Sequence, residues 1–361
     1  MKRITVQGIG VFGGFGTGVQ ALVHALETQP AAPTLRSIPT GHGPVDLMAF
    51  RADLAPLDAL VSARTLRRMD SFSKMALLGA HLALSDAGIE PAGQAGLGLI
   101  IASGYGATTT TTYALMDSFT RDGDACTSPI HFANSMHNTC AANISLQIGA
   151  TGPNLTVSQF HLSVPSALLT ARQWLLEGRV DRVLFGAVDE LSDLIGYLWL
   201  RQRGEHARGP MRPLATQAES AIPGEGAAFF LLSAREEATP GYCTLEEVAT
   251  GRQPGRLAQG SELIVLGTDG RLEFGTTYAS QAQGSRIACF TPHYGSMPPG
   301  PAFDLAVAAL MLRHRRTYAS PLGEACDFGA SVMGNAPLEA TTIACLTFAA
   351  EQGYGRIRLS S

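Results

Sequence analysis

What most constrains this chain is an alternation that occurs twice along it. Short runs rich in aliphatic and β-branched residues are separated by longer segments with a helical period. Residues 3–8 (RITVQG), 96–103 (GLGLIIAS), 154–158 (NLTVS), 182–187 (RVLFGA) and 227–233 (AAFFLLS) read as strands. Between them, Val19, Leu22, Val23 and Leu26 fall at i, i+3, i+4 and i+7, and residues 69–87 keep the same period, with Gly88 placed as a C-cap. Helices packed on a sheet, an α/β fold, follow from that pattern. After residue 235 it begins again, with strands at 243–250, 262–268, 286–290, 341–348 and 355–359 and a helix at 303–314. The second half is a shortened echo of the first, so two α/β halves are expected, 1–235 and 236–361, with 252–260 and 329–337 as surface loops.

Composition narrows the functional classes. Of 361 residues, 45% are hydrophobic and 16% charged, too few charges to coat the surface, so a sizeable buried interface between subunits is expected. The 26 Lys and Arg form no run that could neutralise phosphates and the net charge is −4, which argues against nucleic-acid binding. The most apolar stretches, 96–103 and 302–312, are shorter than a bilayer span, and MKRITVQGIG has no signal-like apolar block. A cytosolic location is the expectation.

Six cysteines (Cys126, Cys140, Cys243, Cys289, Cys326 and Cys345) are scattered without a C-x-x-C pair or a Cys/His cluster at zinc spacing, so buried reduced thiols are expected and no metal is assigned. Gly8, Gly10 and Gly13 match G-x-G-x-x-G between a strand and a helix, the pattern of a pyrophosphate cradle. That reading, a nucleotide-binding oxidoreductase, also needs an acidic residue ending a second strand about 20 residues on. Residues 28–44 instead read as a Pro- and Gly-rich loop, so turn glycines are the preferred account and no cofactor is assigned.

Five fragments stand in one order: Met69-Asp70-Ser71-Phe72-Ser73, running on through Ser85-Asp86-Ala87-Gly88-Ile89; Gly152-Pro153-Asn154-Leu155-Thr156-Val157-Ser158; Arg212-Pro213; and Gly224-Glu225-Gly226-Ala227-Ala228. Together they resemble the β-ketoacyl synthase family of condensing enzymes, over residues 1–235 and more loosely beyond. The resemblance implies a thiolase-like fold, two βαβαβαββ halves stacked as α-β-α-β-α layers, in a two-fold or pseudo-two-fold dimer. It also implies where catalysis sits. In the family a Cys follows the G-P-x-x-x-x-S strand at a strand-to-helix turn, where the helix dipole favours the thiolate. Here that turn reads Ser158-Gln159-Phe160-His161-Leu162-Ser163, with His161 in the nucleophile's place. An acyl-imidazole hydrolyses readily, so a stored thioester equivalent is not expected.

The family's two histidines align with Leu266, in Leu266-Gly267-Thr268-Asp269-Gly270, and with Ser296, in Gly295-Ser296-Met297. His293 lies three residues from the second position, in a loop altered by prolines, and is not read as its replacement. The glycine-rich oxyanion loop aligns with Phe348-Ala349-Ala350-Glu351-Gln352, which adds a negative charge and lacks the glycines. Nucleophile, both histidines and the oxyanion loop have diverged together, which argues against Claisen condensation on this chain.

A chain with the scaffold and without the chemistry is similar to a chain length factor, the non-catalytic partner of a ketosynthase in type II polyketide and aryl polyene synthesis. Such members usually carry Gln where this chain has His161; Phe132-Ala133-Asn134-Ser135-Met136-His137-Asn138 and the compact length are more similar to aryl polyene relatives. The implied partners are a catalytic ketosynthase, in a heterodimer, and an acyl carrier protein, and the implied role is to shape a tunnel for the growing chain. The resemblance places the tunnel gate on the helix after Tyr105-Gly106, where Thr109, Thr112, Tyr113 and Met116 fall at i, i+3, i+4 and i+7; with Phe160 they are the candidate lining. His161 is read as plugging the old thiol pocket, and Asp189-Glu190 as a solvated strand end. The competing reading is an autonomous acyltransferase or malonyl decarboxylase with a substituted site.

Overall fold

Alternation along the apolar runs decides the layering. The computed structural model describes residues 2–123, 127–203, 210–235, 241–252, 255, 257, 263–321 and 326–361. The strands that carry the fold are β1 (Arg3–Gly13), β2 (Gly98–Ser103), β3 (Asn154–Ser158), β4 (Arg182–Asp189) and β5 (Gly226–Arg235), then β6 (Cys243–Arg252), β7 (Leu263–Leu266), β8 (Arg286–Ala288), β9 (Thr342–Ala349) and β10 (Gly353–Ser360). The helices around them are α1 (Val19–Glu27), α2 (Ser71–Asp86), α3 (Thr139–Ile148), α4 (Ser163–Leu176), α5 (Asp193–Arg203), α6 (Gly275–Ala282) and α7 (Gly300–His314).

The two halves share one topology. The first runs β3-β2-β4-β5-β1 and the second β8-β7-β9-β10-β6, each with two parallel pairings followed by two antiparallel ones. They join edge to edge through only Thr5↔Thr244 and Val6↔Cys243, which makes one continuous 12-stranded sheet. Because side chains alternate faces along a strand, Ile100 and Ala102 of β2 and Leu263 and Val265 of β7 point into one shared core. Leu99 and Ile101 point outward against α2 and α3, and Ile264 and Leu266 outward against α6. Helices α4 and α7 lie between the halves, touching strands of both. The layers are therefore α-β-α-β-α.

Helix α7 is buried from Gly300 through Leu312, which accounts for a sequence that is apolar on every side. Its one acidic residue, Asp304, accepts a hydrogen bond from the Tyr294 hydroxyl, and burial pushes its carboxyl up to about 7. At α2, Asp70 is the N-cap and accepts from the Ser73 N–H at 3.0 Å, and Gly88 stands just past the C-terminus.

Three expectations are corrected here. Gly8, Gly10 and Gly13 lie inside β1, neither in a phosphate loop nor in a turn. A Cβ on Gly8 would meet the Ala83 carbonyl at 2.3 Å, and one on Gly10 the Gly79 carbonyl at 2.3 Å, so these glycines let α2 lie directly on the strand. Within 28–44, Thr34–Ile38 is a strand, paired antiparallel with Val45–Ala49 outside the main sheet. In 329–337, Ser331–Val332 pairs parallel with β8 and Ala336–Pro337 pairs with Arg316–Thr317, so that loop carries edge pairing. Residues 236–240, where the expected boundary between halves falls, and most of 252–260 lie outside the described residues.

Candidate functional site

The chain leaves β3 at Ser158 and enters α4 through a short 3-10 turn, Phe160–Leu162. The Gln159 N–H donates to the Ser163 hydroxyl at 2.7 Å, which donates to the Ser103 carbonyl at 2.9 Å and pins the turn to the end of β2. Phe160 takes φ 46°, a left-handed conformation that a bulky aromatic residue adopts only under constraint, and its side chain is 62% exposed. His161 follows in the same turn, just before α4, partly buried, its ring 6.0 Å from that of Phe274.

Behind His161 the second half supplies an ion pair. Arg271 Nε lies 2.7 Å from Asp269 Oδ2, and its guanidinium sits 5.3 Å over the Phe274 ring. Ser296 donates its hydroxyl to the same carboxylate oxygen of Asp269. Burial raises Asp269, but Arg271 and the Ser296 hydroxyl outweigh it and hold the carboxyl below its usual range. Burial, then the Arg271 cation, drive His161 well below its ordinary value, so its imidazole is neutral at pH 7.

A cavity of about 620 Å³ opens on this cluster, walled by Phe160, His161, Arg271 and Phe274. At the mouth Arg252 pairs with Glu351 at 2.9 Å, in the β9–β10 turn where Glu351 and Gln352 take φ 57° and 59°. None of the described cysteines lines it. Cys140, Cys243, Cys289 and Cys345 are buried free thiols, and Cys126 lies outside the described residues. His293 does not line it either: it is 2% exposed, neither ring nitrogen has a hydrogen-bond partner among the described residues, and burial lowers it to about 4.

Of the three positions that the resemblance aligns with the family's catalytic residues, the fold brings two, His161 and Ser296, to the Arg271–Asp269 pair. Leu266 is not among them; it is fully buried in the outer core with Tyr278 and Phe348. Sequence reasoning passed over Asp269 and Arg271, whose signal was a D-x-R pair directly after an apolar strand.

The tunnel candidates fare differently. Thr110–Met116 is a π-helix. Its bonds run i→i+5, so the α-helical spacing that grouped Thr109, Thr112, Tyr113 and Met116 on one face does not hold there. Thr109 and Met116 are exposed, whereas Thr110 and Leu115 are buried. The side chains of Thr112 and Tyr113 lie outside the described residues. Phe160 meets Tyr105 edge-on with ring centres 6.5 Å apart. Asp189 and Glu190 are 1% and 4% exposed, not solvated; backbone amides facing the end of β4 supply the hydrogen bonds that offset their burial.

A second surface belongs with the site. β3 is the outermost strand of its half, paired among the described residues with β2 alone, and Leu155 on it is 37% exposed. Ile130, Phe132, Met136 and Leu146, in the chain before it, are each more than half exposed. Among the described residues no group of His, Cys, Asp and Glu could hold a metal ion, and no helix is long and apolar enough to cross a membrane.

The family model described as "Beta-ketoacyl synthase, N-terminal domain" matches residues 3–238. "Nodulation protein E" of Rhizobium meliloti is 26% identical over 254 residues, covering 69% of this chain and 62% of that protein. "Putative polyketide beta-ketoacyl synthase 1" of Streptomyces cyaneus is 28% identical over 270 residues, covering 69% of this chain and 63% of its own length. The chain thus spans less than two thirds of the length of these relatives. Among solved structures, "The ishigamide ketosynthase/chain length factor" superposes with a TM-score of 0.82 at 18% identity, over 100% of this chain and 99% of the other. A β-ketoacyl synthase from Burkholderia phymatum superposes with a TM-score of 0.80 at 16% identity, over 100% and 99%. The chain belongs to the β-ketoacyl synthase family, with a thiolase-like fold.

Proposed function

We propose that this β-ketoacyl synthase family member is a non-catalytic subunit of the chain length factor type, which pairs with a catalytic ketosynthase and shapes the tunnel for a growing polyketide or polyene chain. The carrying observation is the cluster at the nucleophile's turn. A neutral imidazole stands at the position of the family's thiolate, no thiol among the described residues lines its cavity, and the Ser296 position is tied up in the Asp269–Arg271 pair. Such a site has no group that forms a stable acyl-enzyme.

The exposed β3 edge and its apolar neighbours support the pairing, since a strand with one free edge and an apolar surround is a ready interface. A ketosynthase carrying its own Cys-His-His site would hold the acyl chain, and an acyl carrier protein would deliver extender units. Among structural neighbours, one is titled a ketosynthase/chain length factor and another a type II acyl-carrier protein in complex with its ketosynthase, which is consistent with both partners. The neutral His161 facing an open cavity keeps a second reading in play, an acyltransferase or malonyl decarboxylase working alone.

Intact masses decide between them. The chain is expressed with and without a ketosynthase from the same source and given acyl- and malonyl-carrier protein. An acyl adduct on the ketosynthase alone, with elongation requiring both chains, is the expected result. An adduct on this chain, or turnover by it alone, overturns the proposal.

A further inference from the structure

The end of β4 grips the loop that leads into the π-helical segment at successive points. Asp189 accepts from the backbone N–H groups of Gly104, Tyr105 and Gly106 at 2.8, 3.0 and 3.1 Å and from the Ser103 hydroxyl at 2.5 Å. The Thr108 hydroxyl donates to Ser192 Oγ at 2.8 Å. The Thr109 N–H donates to Glu190 Oε1 at 2.7 Å, and the Thr110 hydroxyl reaches Asp70 Oδ2 at 3.3 Å. Asp189, with its set of donors, holds the loop at residues 103–106. Glu190 holds the last residue before the π-helix, and it does so from a buried position.

We propose that Glu190 is the positioning residue of the Thr110–Met116 segment: its carboxylate fixes the Thr109 amide and thereby sets how the π-helix leaves the loop and presents Met116. π-Helical turns are rarely stable alone and persist where surrounding contacts hold them. The consequence for product length rests on the chain length factor reading; the positioning itself does not.

The anchor is also sensitive to pH. Burial pushes Glu190 up to about 7, the amide and side chain of Thr109 pull it down, and the carboxylates of Asp70 and Glu225 add to the rise. Those are the charges facing it: Asp70 at the start of α2, Glu225 before β5 with Arg51 3.4 Å from it, and Asp189 beside it on β4. An ionised carboxylate is the stronger acceptor. The grip on Thr109 therefore tightens as pH rises through neutrality and loosens below it.

Hydrogen exchange, corrected for the intrinsic rate, tests this in the assembled complex at pH 6 and pH 8, with product length read on the same samples. In the wild type the Thr109 amide is expected to be roughly tenfold better protected at pH 8 than at pH 6. Glu190→Gln keeps an acceptor oxygen and should abolish the difference; Glu190→Ala should lower protection at both pH values. Equal protection of wild type and Glu190→Gln at both pH values overturns the proposal. Protection that follows Glu190 while product length stays constant supports the positioning role and removes the segment from the tunnel gate, so failure of the functional reading is told apart from failure of the anchor.

Discussion

The two halves carry the same strand order and end in opposite ways. In the first, the outer strand β3 has one edge unpaired among the described residues, side chains partly or fully exposed along its length, and exposed Leu155, Ile130, Phe132, Met136 and Leu146 around it. In the second, the equivalent strand β8 is buried at Ile287 and Ala288 and its far edge is covered by Ser331–Val332. Beyond β6, Leu272 is the one large exposed hydrophobic side chain among the described residues. A duplicated topology therefore need not duplicate its surfaces. Closing one edge removes a pairing site and leaving the other open keeps one, so the open edge is where the proposed pairing with a second chain is expected.

The largest effect expected from this contrast is on assembly. Leu155→Arg should weaken association with the partner at least a hundredfold, roughly 3 kcal/mol, whereas Leu272→Arg should leave it unchanged; native mass spectrometry of the co-expressed chains reads both. Co-purification of Leu155→Arg at wild-type yield would mean the open edge is not the interface. A smaller effect separates the buried acids of the two halves. Asp304, in α7, has its carboxyl raised to about 7 with a single hydroxyl partner, while Asp189 accepts from three amides and a hydroxyl and rises only to about 6. A raised carboxyl holds its proton in the folded state after the unfolded chain has released it, so stability falls as pH climbs from about 4 to about 7. Asp304→Asn should flatten that fall, measured as denaturant midpoints across that window. An unchanged slope would place the proton on other groups. The smallest effect is at the junction of the halves: His161→Ala should leave elongation by the complex within roughly twofold, and loss of elongation with the dimer intact would give His161 a role in the chemistry.

Much of the architecture was legible in the residues. The strands and the buried α7 follow from apolar runs, and α1 from its period, because burial on one face or on all faces writes a direct pattern. The place of His161 in the turn after β3 was legible because the strand directly precedes it in the chain. Other features were not. Gly8 and Gly10 read as turn glycines until α2 is seen lying on β1. Asp189 and Glu190 read as a wet strand end, since a carboxylate at a terminus is usually solvated, and only the loop at 103–109 brings the amides that let them be buried. The gate residues were grouped on an α-helical wheel that the π-helix does not follow.

The sequence by itself determined the α/β class, the repeat and the family, because those depend on local periodicity and on residues close together in the chain. The tertiary structure decided which of the aligned positions meet. Ser296 and His161 are joined by Asp269 and Arg271 although they come from different halves, whereas Leu266, three residues from Asp269, faces the opposite side of its sheet. Side chains alternate across a strand and buried charges must find partners wherever the chain has folded to supply them. Neither condition can be read from one stretch of sequence.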